Sequence, residues 1–342
     1  MKNIMRIIKG LSFSLYNMSR LKNRFRLLFS YKNNVLDPES FPSIVQVEIT
    51  NRCNLKCTMC PVIKSERSKS DLTFELFEKI VLDSKGLCEL LVLTGGEPLL
   101  NKDIFRMIKF ATKHGLKTWL ATNATLLTPD KGILLLESGL DQLIISFDDG
   151  GKENYEIARV GANYEKTYKN ITEFLELAKK VKHNTYITMQ CIDMKTTQNS
   201  TLQFVEKWSP YQVNTFIKPV VNWSANKQNW RGKNFKCDKP WYWMTIHNDG
   251  NVVSCGHDYD QSNVLGNVKN KSLIVIWNNK KYSDFRHVVC ETKKDNELCN
   301  LCEYVAPRDR SILKDIGLLF IDMSTISKLL VTFGYKKRNW KE

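Results

Sequence analysis

The chain has 342 residues, of which 42% are hydrophobic and 25% charged, a composition typical of a soluble globular protein rather than a disordered or membrane-spanning one. This length allows one large core, or one large and one small domain. The net charge of +15 would suit nucleic acid, but no recognition motif accompanies the basic residues, so nucleic-acid binding is not expected.

The first element in chain order is a basic segment over residues 1–40. Residues 1–36 contain eight Lys or Arg and no acidic residue, and apolar residues recur at spacings of three and four, which predicts an amphipathic helix. One interpretation is a peripheral contact with an anionic membrane surface, and the other is a helix that packs on the main domain. We favour packing. Because Lys9 interrupts the apolar run, a secretory signal is not expected.

Residues 41–225 alternate between strand-like and helix-like segments. The predicted strands are residues 43–49, 90–94, 117–121, 142–147, 186–192 and 213–218, and the predicted helices are residues 72–83, 102–114, 129–138, 164–181 and 202–208. Regular alternation with apolar strands predicts a parallel sheet covered by helices, and six such units predict an open or partial barrel. In barrels of this kind the chemistry lies beyond the carboxyl ends of the strands.

A cysteine triplet follows the first predicted strand. Cys53, Cys57 and Cys60 have the spacing C-x3-C-x2-C. A four-iron cluster normally takes four thiolates, so three with no fourth nearby indicate a cluster with one iron open to a substrate or cofactor. A zinc site and ordinary loop thiols remain as alternatives.

Further candidate site residues lie at the ends of later strands. Gly95-Gly96-Glu97-Pro98 ends the second strand, where glycine allows the backbone to approach a ligand closely. The other candidates are Thr122 and Asn123 after the third strand, Ser146 and Asp148 at the end of the fourth, and Arg159. A planar guanidinium such as that of Arg159 suits a bidentate carboxylate contact. Each of these residues, taken alone, is also compatible with an ordinary turn or surface position.

A second cysteine set lies in the next predicted domain, residues 226–310. Its members are Cys237, Cys255, Cys299 and Cys302. Four thiolates complete a ligand set for a four-iron cluster or a structural zinc, and their spacing alone does not choose between them. The concentration of ten cysteines in two regions favours metal ligation in a reducing, cytoplasmic compartment over a disulfide framework.

The remaining C-terminal elements are short. Asp249-Gly250, between two apolar runs, predicts a hairpin, and residues 272–278 and 282–289 are predicted as short helices. A basic tail follows over residues 311–342.

Together these motifs resemble the radical S-adenosylmethionine (SAM) superfamily, and the second cysteine set resembles its SPASM extension in the shortened "twitch" version. The resemblance covers residues 41 to about 305 and implies a partial (β/α)6 TIM-like barrel followed by a small SPASM/twitch-type domain. The triplet would hold a SAM-binding [4Fe–4S] cluster, and the second set an auxiliary [4Fe–4S] cluster. The residues implied to contact SAM are Met59, Gly95, Gly96, Glu97, Pro98, Thr122, Asn123, Ser146, Asp148 and Arg159.

The chain departs from the family pattern at two points. Val160 separates Arg159 from the glycine that usually follows the arginine directly. The seven-cysteine SPASM pattern is also not present, because only four cysteines fit it. The departure at Val160 puts the SAM-carboxylate role of Arg159 in doubt, and the missing cysteines restrict the second domain to one auxiliary cluster.

The resemblance implies reductive cleavage of SAM to a 5′-deoxyadenosyl radical, which takes a hydrogen atom from the substrate. We expect a dehydrogenase or epimerase acting on a carbohydrate-like, aminocyclitol or surface-polysaccharide precursor. A low-potential donor such as flavodoxin or ferredoxin would supply its electrons. A maturase of ribosomal peptides is the alternative. Some radical SAM epimerases use a thiol as hydrogen donor, and Cys191, at the end of the fifth strand, is the candidate for that role against simple packing.

Overall fold

A computed structural model of the chain describes residues 18–148, 151–194, 201–219, 237–291, 296–300 and 302. Six parallel strands lie side by side in the order β6-β5-β4-β3-β2-β1. Over the described ranges β1 and β6 do not pair with each other, so the six strands form an open sheet and not a closed barrel. The strands are β1 Ile44–Thr50, β2 Leu90–Gly95, β3 Lys117–Thr122, β4 Gln142–Ser146, β5 Tyr186–Asp193 and β6 Asn214–Pro219.

Helices follow most of the strands, and three of the helices begin at side-chain caps. The side chains of Thr73, Thr128 and Asn163 each accept a hydrogen bond from a backbone N–H in the first turn of the helix that follows. The helices are α1 Met18–Lys32, α2 Phe74–Ser84, α3 Ile104–Lys113, α4 Pro129–Glu137, α5 Lys152–Ala158, α6 Tyr164–Lys180, α7 Thr201–Trp208, α8 Lys239–Tyr242, α9 Leu273–Trp277, α10 Lys280–Glu291 and α11 Glu297–Asn300. The alternation predicted for the main domain is confirmed.

The C-terminal region extends the same sheet. The added strands are β7 Trp243–Ile246, β8 Asn251–Val253 and β9 Val264–Asn267. β7 pairs in parallel with β1, with Ile44 opposite Trp243, and β8 and β9 then add in antiparallel fashion. The hairpin predicted at Asp249-Gly250 is confirmed, with Gly250 at a φ of +90°. The predicted domain boundary at residues 225–226 lies outside the described residues.

Helix α1 packs on the main domain through its polar side. The Nε of Arg24 donates to Oε1 of Glu89 at 2.6 Å in a buried ion pair. Asn23 donates to the carbonyl of Phe41 at 2.7 Å and accepts from its N–H at 2.8 Å. Packing is therefore confirmed for residues 18–32, but the side that faces the domain is mostly polar, with Leu27 as its buried apolar residue, which is contrary to the amphipathic expectation. The remainder of this segment, residues 1–17, and the basic tail lie outside the described residues.

The two faces of the parallel sheet differ in burial. Val45, Leu91 and Met189 belong to a fully buried face that packs with the helices in one hydrophobic core. Because successive strand residues point to opposite faces, the intervening residues share the other face, and many of them are only partly buried. We call this second face the open face. It presents Gln46, Val92, Thr94, Trp119, Ala121, Ile144, Ser146, Gln190, Ile192, Phe216 and Lys218.

Candidate active site

The cysteine triplet lies in the loop that follows β1, and the end of α5 holds this loop in place. Lys56 and Thr58 donate their backbone N–H groups to the carbonyls of Val160 and Ala158, at 2.8 and 3.0 Å. These bonds satisfy the loop's own backbone groups and fix it against a segment a hundred residues away in the chain. The loop is therefore positioned by its surroundings as well as by its sequence.

The glycine pair locks the end of β2 onto the start of the cysteine loop. Gly96 N–H donates to the Thr50 carbonyl at 2.7 Å, and the next N–H donates to the Arg52 carbonyl at 2.8 Å. A Cβ on Gly96 would lie 1.9 Å from the Arg52 oxygen, and one on Gly95 would lie 2.0 Å from the Thr50 oxygen. Only glycine permits this approach, so the pair has an internal packing function beside its predicted contact with SAM.

Glu97 is buried and its carboxylate is fully engaged within the protein. It accepts hydrogen bonds from the Thr122 hydroxyl at 2.7 Å, the Asn123 N–H at 2.8 Å and the Leu99 N–H at 3.1 Å. Burial raises the pKa of Glu97, and these donors oppose the rise. Pro98 is buried beside it. The side chain therefore braces the end of β3 against β2, and the residue's predicted contact with SAM would have to come from its backbone.

Asn123 links the end of β3 to the cysteine loop. Its Nδ2 lies 3.9 Å from the Cys53 sulfur and donates to the Asn54 side-chain oxygen at 3.1 Å. Its own oxygen accepts from the N–H of Thr125 at 3.0 Å, which fixes the orientation of the amide. The structure therefore brings two of the predicted elements, the triplet and the end of β3, into direct contact.

Arg159 and Asp148 form a buried ion pair next to the triplet. The Nε of Arg159 donates to Oδ2 of Asp148 at 2.6 Å, and Nη1 lies 3.9 Å from the Cys57 sulfur. The other Asp148 oxygen accepts the Ile192 N–H at 2.7 Å. The remaining Nη2 of Arg159 is buried and has no hydrogen-bond partner among the described residues. A buried guanidinium nitrogen without an acceptor costs free energy, so an anionic ligand beside the triplet would satisfy it.

The charges of this pair act on the thiols. Burial opposes the charging of Arg159, but Asp148 and Cys57 outweigh it and raise the pKa of the guanidinium. Burial also raises the pKa of the Cys57 thiol, an effect that the positive charge of Arg159 opposes. The site thus sets a permanent cation beside a thiol that a bound cluster would take as a thiolate.

The other two predicted contacts are less constrained. Ser146 lies on the open face, where its hydroxyl accepts a hydrogen bond from the Gln190 amide at 3.4 Å. Met59 is partly buried within the cysteine loop. Both side chains are only partly buried.

The placement of Cys191 differs from the sequence expectation that it faces the mouth. The residue is fully buried within the hydrophobic core. Its register partner on β6 is Ile217, and it alternates with Gln190 and Ile192 of the open face. The period of two places its thiol on the helix side of the sheet, which does not fit a hydrogen donor that faces a substrate in the mouth.

The four C-terminal cysteines come from separate elements and lie within electrostatic reach of one another. Burial raises the pKa of Cys255 to about 12, and the neighbouring Cys299 and Cys302 add to the rise. Burial likewise raises the pKa of Cys237 to about 12, with Cys255 among the further contributors. The Cys302 N–H donates to the Cys299 carbonyl at 3.3 Å. Four thiols gathered in this way suit a bound metal group, which would take them as thiolates.

The two sets differ in how they fit an iron–sulfur group. The triplet combines three thiols with a buried, unsatisfied guanidinium nitrogen, which fits a cluster with one open iron and an anionic ligand nearby. The second set supplies four thiols, which fit a fully ligated cluster. Over the described ranges no three His, Cys, Asp or Glu side chains are arranged to hold a single metal ion.

One buried network at the mouth was not predicted from the sequence. Arg67 donates to both oxygens of Glu48, at 3.1 and 2.7 Å, and to the Asn248 side-chain oxygen at 2.7 Å. It also donates to the Tyr259 carbonyl at 3.1 Å. These bonds tie the segment after the triplet to the turn that carries Cys255. No sequence signal could have identified them, because the partners lie up to 192 residues apart.

Comparison with known families assigns both regions. A radical SAM superfamily profile matches residues 47–195, and a SPASM profile, described as an iron–sulfur cluster-binding domain, matches residues 237–303. The two matches cover the triplet and all four C-terminal cysteines. Together they imply SAM and [4Fe–4S] clusters as the cofactors of these sites.

Among individual proteins, an AdoMet-dependent heme synthase from Methanosarcina barkeri is 32% identical over 34% of each chain. The match therefore spans about a third of that relative's length. A tungsten-containing aldehyde ferredoxin oxidoreductase cofactor-modifying protein from Pyrococcus furiosus is 25% identical over 77% of this chain and 89% of its own.

Solved structures share the fold. BtrN in complex with AdoMet and 2-DOIA superposes with a TM-score of 0.54 at 19% identity, over 80% of this chain and 97% of its own. Streptococcus suis SuiB bound to S-adenosylmethionine superposes with a TM-score of 0.62 at 16% identity, over 82% of this chain and 76% of its own.

Proposed function

We propose that this chain, which belongs to the radical SAM superfamily and carries a C-terminal SPASM domain, oxidises a carbohydrate-like, aminocyclitol or surface-polysaccharide precursor. When bound, SAM and its [4Fe–4S] cluster supply a carbon-centred radical that removes a hydrogen atom from the substrate. The observation that carries the proposal is the unsatisfied Arg159 nitrogen beside the cysteine triplet, at the carboxyl edge of the open face.

The residues of the first site have distinct proposed roles. Cys53, Cys57 and Cys60 would hold the SAM-binding cluster. Arg159, held by Asp148, would donate its free Nη2 to the carboxylate of SAM, because a buried guanidinium favours an anionic acceptor. We propose the following further SAM contacts, as the family resemblance implies them: Met59, Gly95, Gly96, Glu97, Pro98, Thr122, Asn123 and Ser146.

The open face supports a substrate rich in hydroxyl or amino groups. Gln46, Thr94, Ser146 and Gln190 present amide and hydroxyl groups there, and these donate and accept hydrogen bonds. Trp119 adds an aromatic surface on the same face. Pockets that combine apolar walls with a few placed polar groups bind small ligands. The likeness to BtrN, whose structure contains 2-DOIA, agrees with this class.

Between the two reactions of this class, oxidation is the better supported. Oxidation needs an acceptor for the second electron, and Cys237, Cys255, Cys299 and Cys302 would hold one. Epimerisation needs a hydrogen donor facing the substrate, and Cys191 lies in the core on the opposite side of the sheet.

Anaerobic reconstitution tests the proposal. We expect about eight irons per chain, from two four-iron clusters, and 5′-deoxyadenosine formation after reduction with dithionite in the presence of SAM. We also expect aminocyclitols or sugars to increase 5′-deoxyadenosine formation and to lose two electrons, as measured by mass spectrometry. Stoichiometric zinc with iron near zero would contradict the enzyme proposal altogether.

A peptide maturase is the second candidate, favoured by one observation. Streptococcus suis SuiB bound to its precursor peptide SuiA superposes with a TM-score of 0.63 over 82% of this chain. The same assay distinguishes the two candidates. Modification of a short precursor peptide, with no response to any sugar or aminocyclitol, would replace the carbohydrate proposal.

The proposed electron donor is a low-potential protein such as flavodoxin or ferredoxin. None of the ten cysteines, all of which lie among the described residues, forms a disulfide, which supports a reducing, cytoplasmic location. Replacing dithionite by reduced flavodoxin should sustain 5′-deoxyadenosine formation. If only chemical reductants work, this choice of donor is wrong.

We also propose a peripheral membrane contact through α1. Its outward side exposes Met18 and Phe29, with the cations Lys22 and Arg26 between them in sequence. Apolar and basic residues on one exposed helix side suit an anionic lipid surface. In the described part of the chain no helix is long and apolar enough to cross a membrane. Sedimentation with phosphatidylglycerol vesicles should carry wild-type protein down, and Phe29→Ser should reduce this. Equal binding to neutral vesicles would contradict the proposal.

A further inference from the structure

The second cysteine site approaches the first over the end of β1. Gln46 and Glu48 alternate onto the open face of this strand, just before the cysteine loop begins. Residues 255–263 form a turn that we call the Cys255 turn. A Cβ on Gly256, the second residue of this turn, would lie 2.8 Å from Oε1 of Gln46. The Cys255 turn therefore packs on the part of the open face that leads to the cysteine loop.

Arg67 lies between the two sites and donates hydrogen bonds to both sides. On the side of the first site it donates to both oxygens of Glu48. On the side of the second site it donates to the Asn248 side-chain oxygen, in the turn between β7 and β8, and to the Tyr259 carbonyl of the Cys255 turn. The Arg67 side chain is 14% exposed and that of Glu48 10%. One planar guanidinium thus joins three separate segments, which the point charge of a lysine would not do.

A second set of hydrogen bonds extends this connection to the start of the cysteine loop. The side-chain amide of Asn248 donates to the carbonyl and the hydroxyl of Ser70, at 2.7 and 2.8 Å. The Ser70 N–H in turn donates to the side-chain oxygen of Asn51 at 2.7 Å, and Asn51 lies two residues before Cys53. The β7–β8 turn is therefore bonded, through the segment that follows the triplet, to the residues that open the cysteine loop.

The Cys255 turn is held in shape by its own hydrogen bonds. Asp258 is buried and accepts from the Ser254 hydroxyl at 3.2 Å and from the Ser262 N–H at 2.7 Å. Gln261 has a φ of +61°, a conformation that costs free energy for a residue other than glycine. Its side-chain amide donates to Asp249 at 2.7 Å, which ties the turn to the β7–β8 turn. Because these bonds make the two turns one unit, Arg67 acts on the position of the whole unit.

We propose that Arg67 is a positioning residue, whose hydrogen bonds set the separation of the two cysteine sites. The inference rests on the proposed function. After a hydrogen atom is removed at the first site, the substrate must still lose one electron, which the second site would accept, and one proton, which would pass to solvent. Electron transfer slows steeply as two centres separate. A Cys255 turn fixed against the cysteine loop would therefore let oxidation finish before the substrate radical is quenched.

Magnetic interaction between the clusters of the reconstituted, dithionite-reduced protein tests the proposal without any turnover. In wild type, each cluster should speed the electron-spin relaxation of the other, and Cys255→Ala, which lacks the second cluster, gives the relaxation rate of the first cluster alone. Arg67→Met should lose most of this enhancement. Arg67→Lys keeps a charge beside Glu48 but not the full set of hydrogen bonds, so it should fold and still show a reduced enhancement. Iron analysis should find both clusters in each Arg67 variant.

The matched controls are Arg24→Met and Arg24→Lys. Arg24 pairs with Glu89 in a buried ion pair, and Glu89 immediately precedes β2, at the amino edge of the sheet and away from both cysteine sites. Loss of this pair should lower the stability to urea as the loss of the Arg67 pair does. The relaxation enhancement should stay at the wild-type value. A loss of enhancement in the Arg24 variants as well would show that any destabilisation has this effect, and would overturn the inference.

The yield of oxidised product for each 5′-deoxyadenosine formed gives a second readout, with an aminocyclitol or sugar as substrate. Arg67→Lys should continue to form 5′-deoxyadenosine, but a smaller share of it should be accompanied by oxidised product. Wild-type relaxation enhancement in both Arg67 variants would overturn the inference, even if wild-type protein oxidises the substrate. Reduced enhancement in the Arg67 variants, with no 5′-deoxyadenosine from wild type, would keep the positioning role and refute the proposed function.

Discussion

The two cysteine sites are built in different ways. The first takes all three thiols from one loop, residues 53–60, and surrounds them with the ends of neighbouring strands. The second takes four thiols from residues 237–302, and only the tertiary fold brings them together. The first site also has a buried guanidinium nitrogen with no acceptor among the described residues.

This difference indicates a division of labour. A three-thiol site beside an unsatisfied cation has room and charge for a ligand, so it suits SAM binding. A four-thiol site is complete in itself and suits the storage or transfer of an electron. Variants that change one site at a time test this division.

The largest expected difference is between Cys57→Ala and Cys255→Ala. Each variant should lose one cluster, leaving about four of about eight irons per chain. Only Cys57→Ala should abolish 5′-deoxyadenosine formation, because SAM is proposed to bind at the triplet site alone. Iron analysis and chromatography of the nucleoside products measure both effects. Retained SAM cleavage in Cys57→Ala would remove the distinction between the sites.

The next largest effect is the loss of stability when a side chain is added at Gly96, where the backbones of β2 and the cysteine loop meet. A Cβ on Gly96 would meet the Arg52 carbonyl at 1.9 Å, so Gly96→Ala should destabilise the protein by about 3 kcal/mol or more. The matched control is Gly86→Ala, where φ is +85° and nothing lies within 4 Å of the new Cβ. It should cost about 1 kcal/mol from backbone strain alone. Urea unfolding measures the free energy of unfolding of both variants. Equal decreases would show that the close backbone contact between β2 and the loop does not contribute to stability.

A smaller effect is expected at Arg159. Arg159→Lys keeps the charge but loses the planar pair of donors, so the dissociation constant for SAM should rise by about tenfold. Arg106→Lys, on the outer helix α3, is the control and should leave SAM affinity unchanged. Equilibrium titration with SAM under anaerobic conditions provides the measurement. Wild-type affinity in Arg159→Lys would show that Arg159 is held for packing with Asp148 only.

The smallest effect is expected at Cys191. Because its thiol is buried on the helix side of the sheet, Cys191→Ala should keep wild-type rates of SAM cleavage and substrate oxidation. The lost packing should lower the free energy of unfolding by about 1 kcal/mol. Loss of product formation with SAM cleavage intact would instead restore the thiol as a hydrogen donor.

The first site could be predicted from the sequence because its parts are local. The apolar strand, the cysteine loop and the strand-end motifs each have a recognisable pattern, and parallel strands bring their carboxyl ends to one edge. Glu97 illustrates the limit of such patterns. Its motif predicted a cofactor contact, whereas the fold directs its carboxylate to Thr122 and Asn123.

What the sequence did not predict depends on long-range partners. The return of β7 to β1 joins residues 199 apart, and no local periodicity encodes it. Helix α1 turns Arg24 inward because Glu89 lies beneath it, although the apolar spacing suggested the reverse. Cys191 lies on the core side because of the strand's phase, which a short, largely apolar segment leaves ambiguous.

Electron paramagnetic resonance of the dithionite-reduced protein, with and without SAM, tests the distinction between the two sites most directly. Two cluster signals should be present, and SAM should change only one of them. That response should survive in Cys255→Ala and disappear in Cys57→Ala. Signals that do not change when SAM is added, or a change that persists in Cys57→Ala, would contradict the assignment of the triplet as the SAM-binding site.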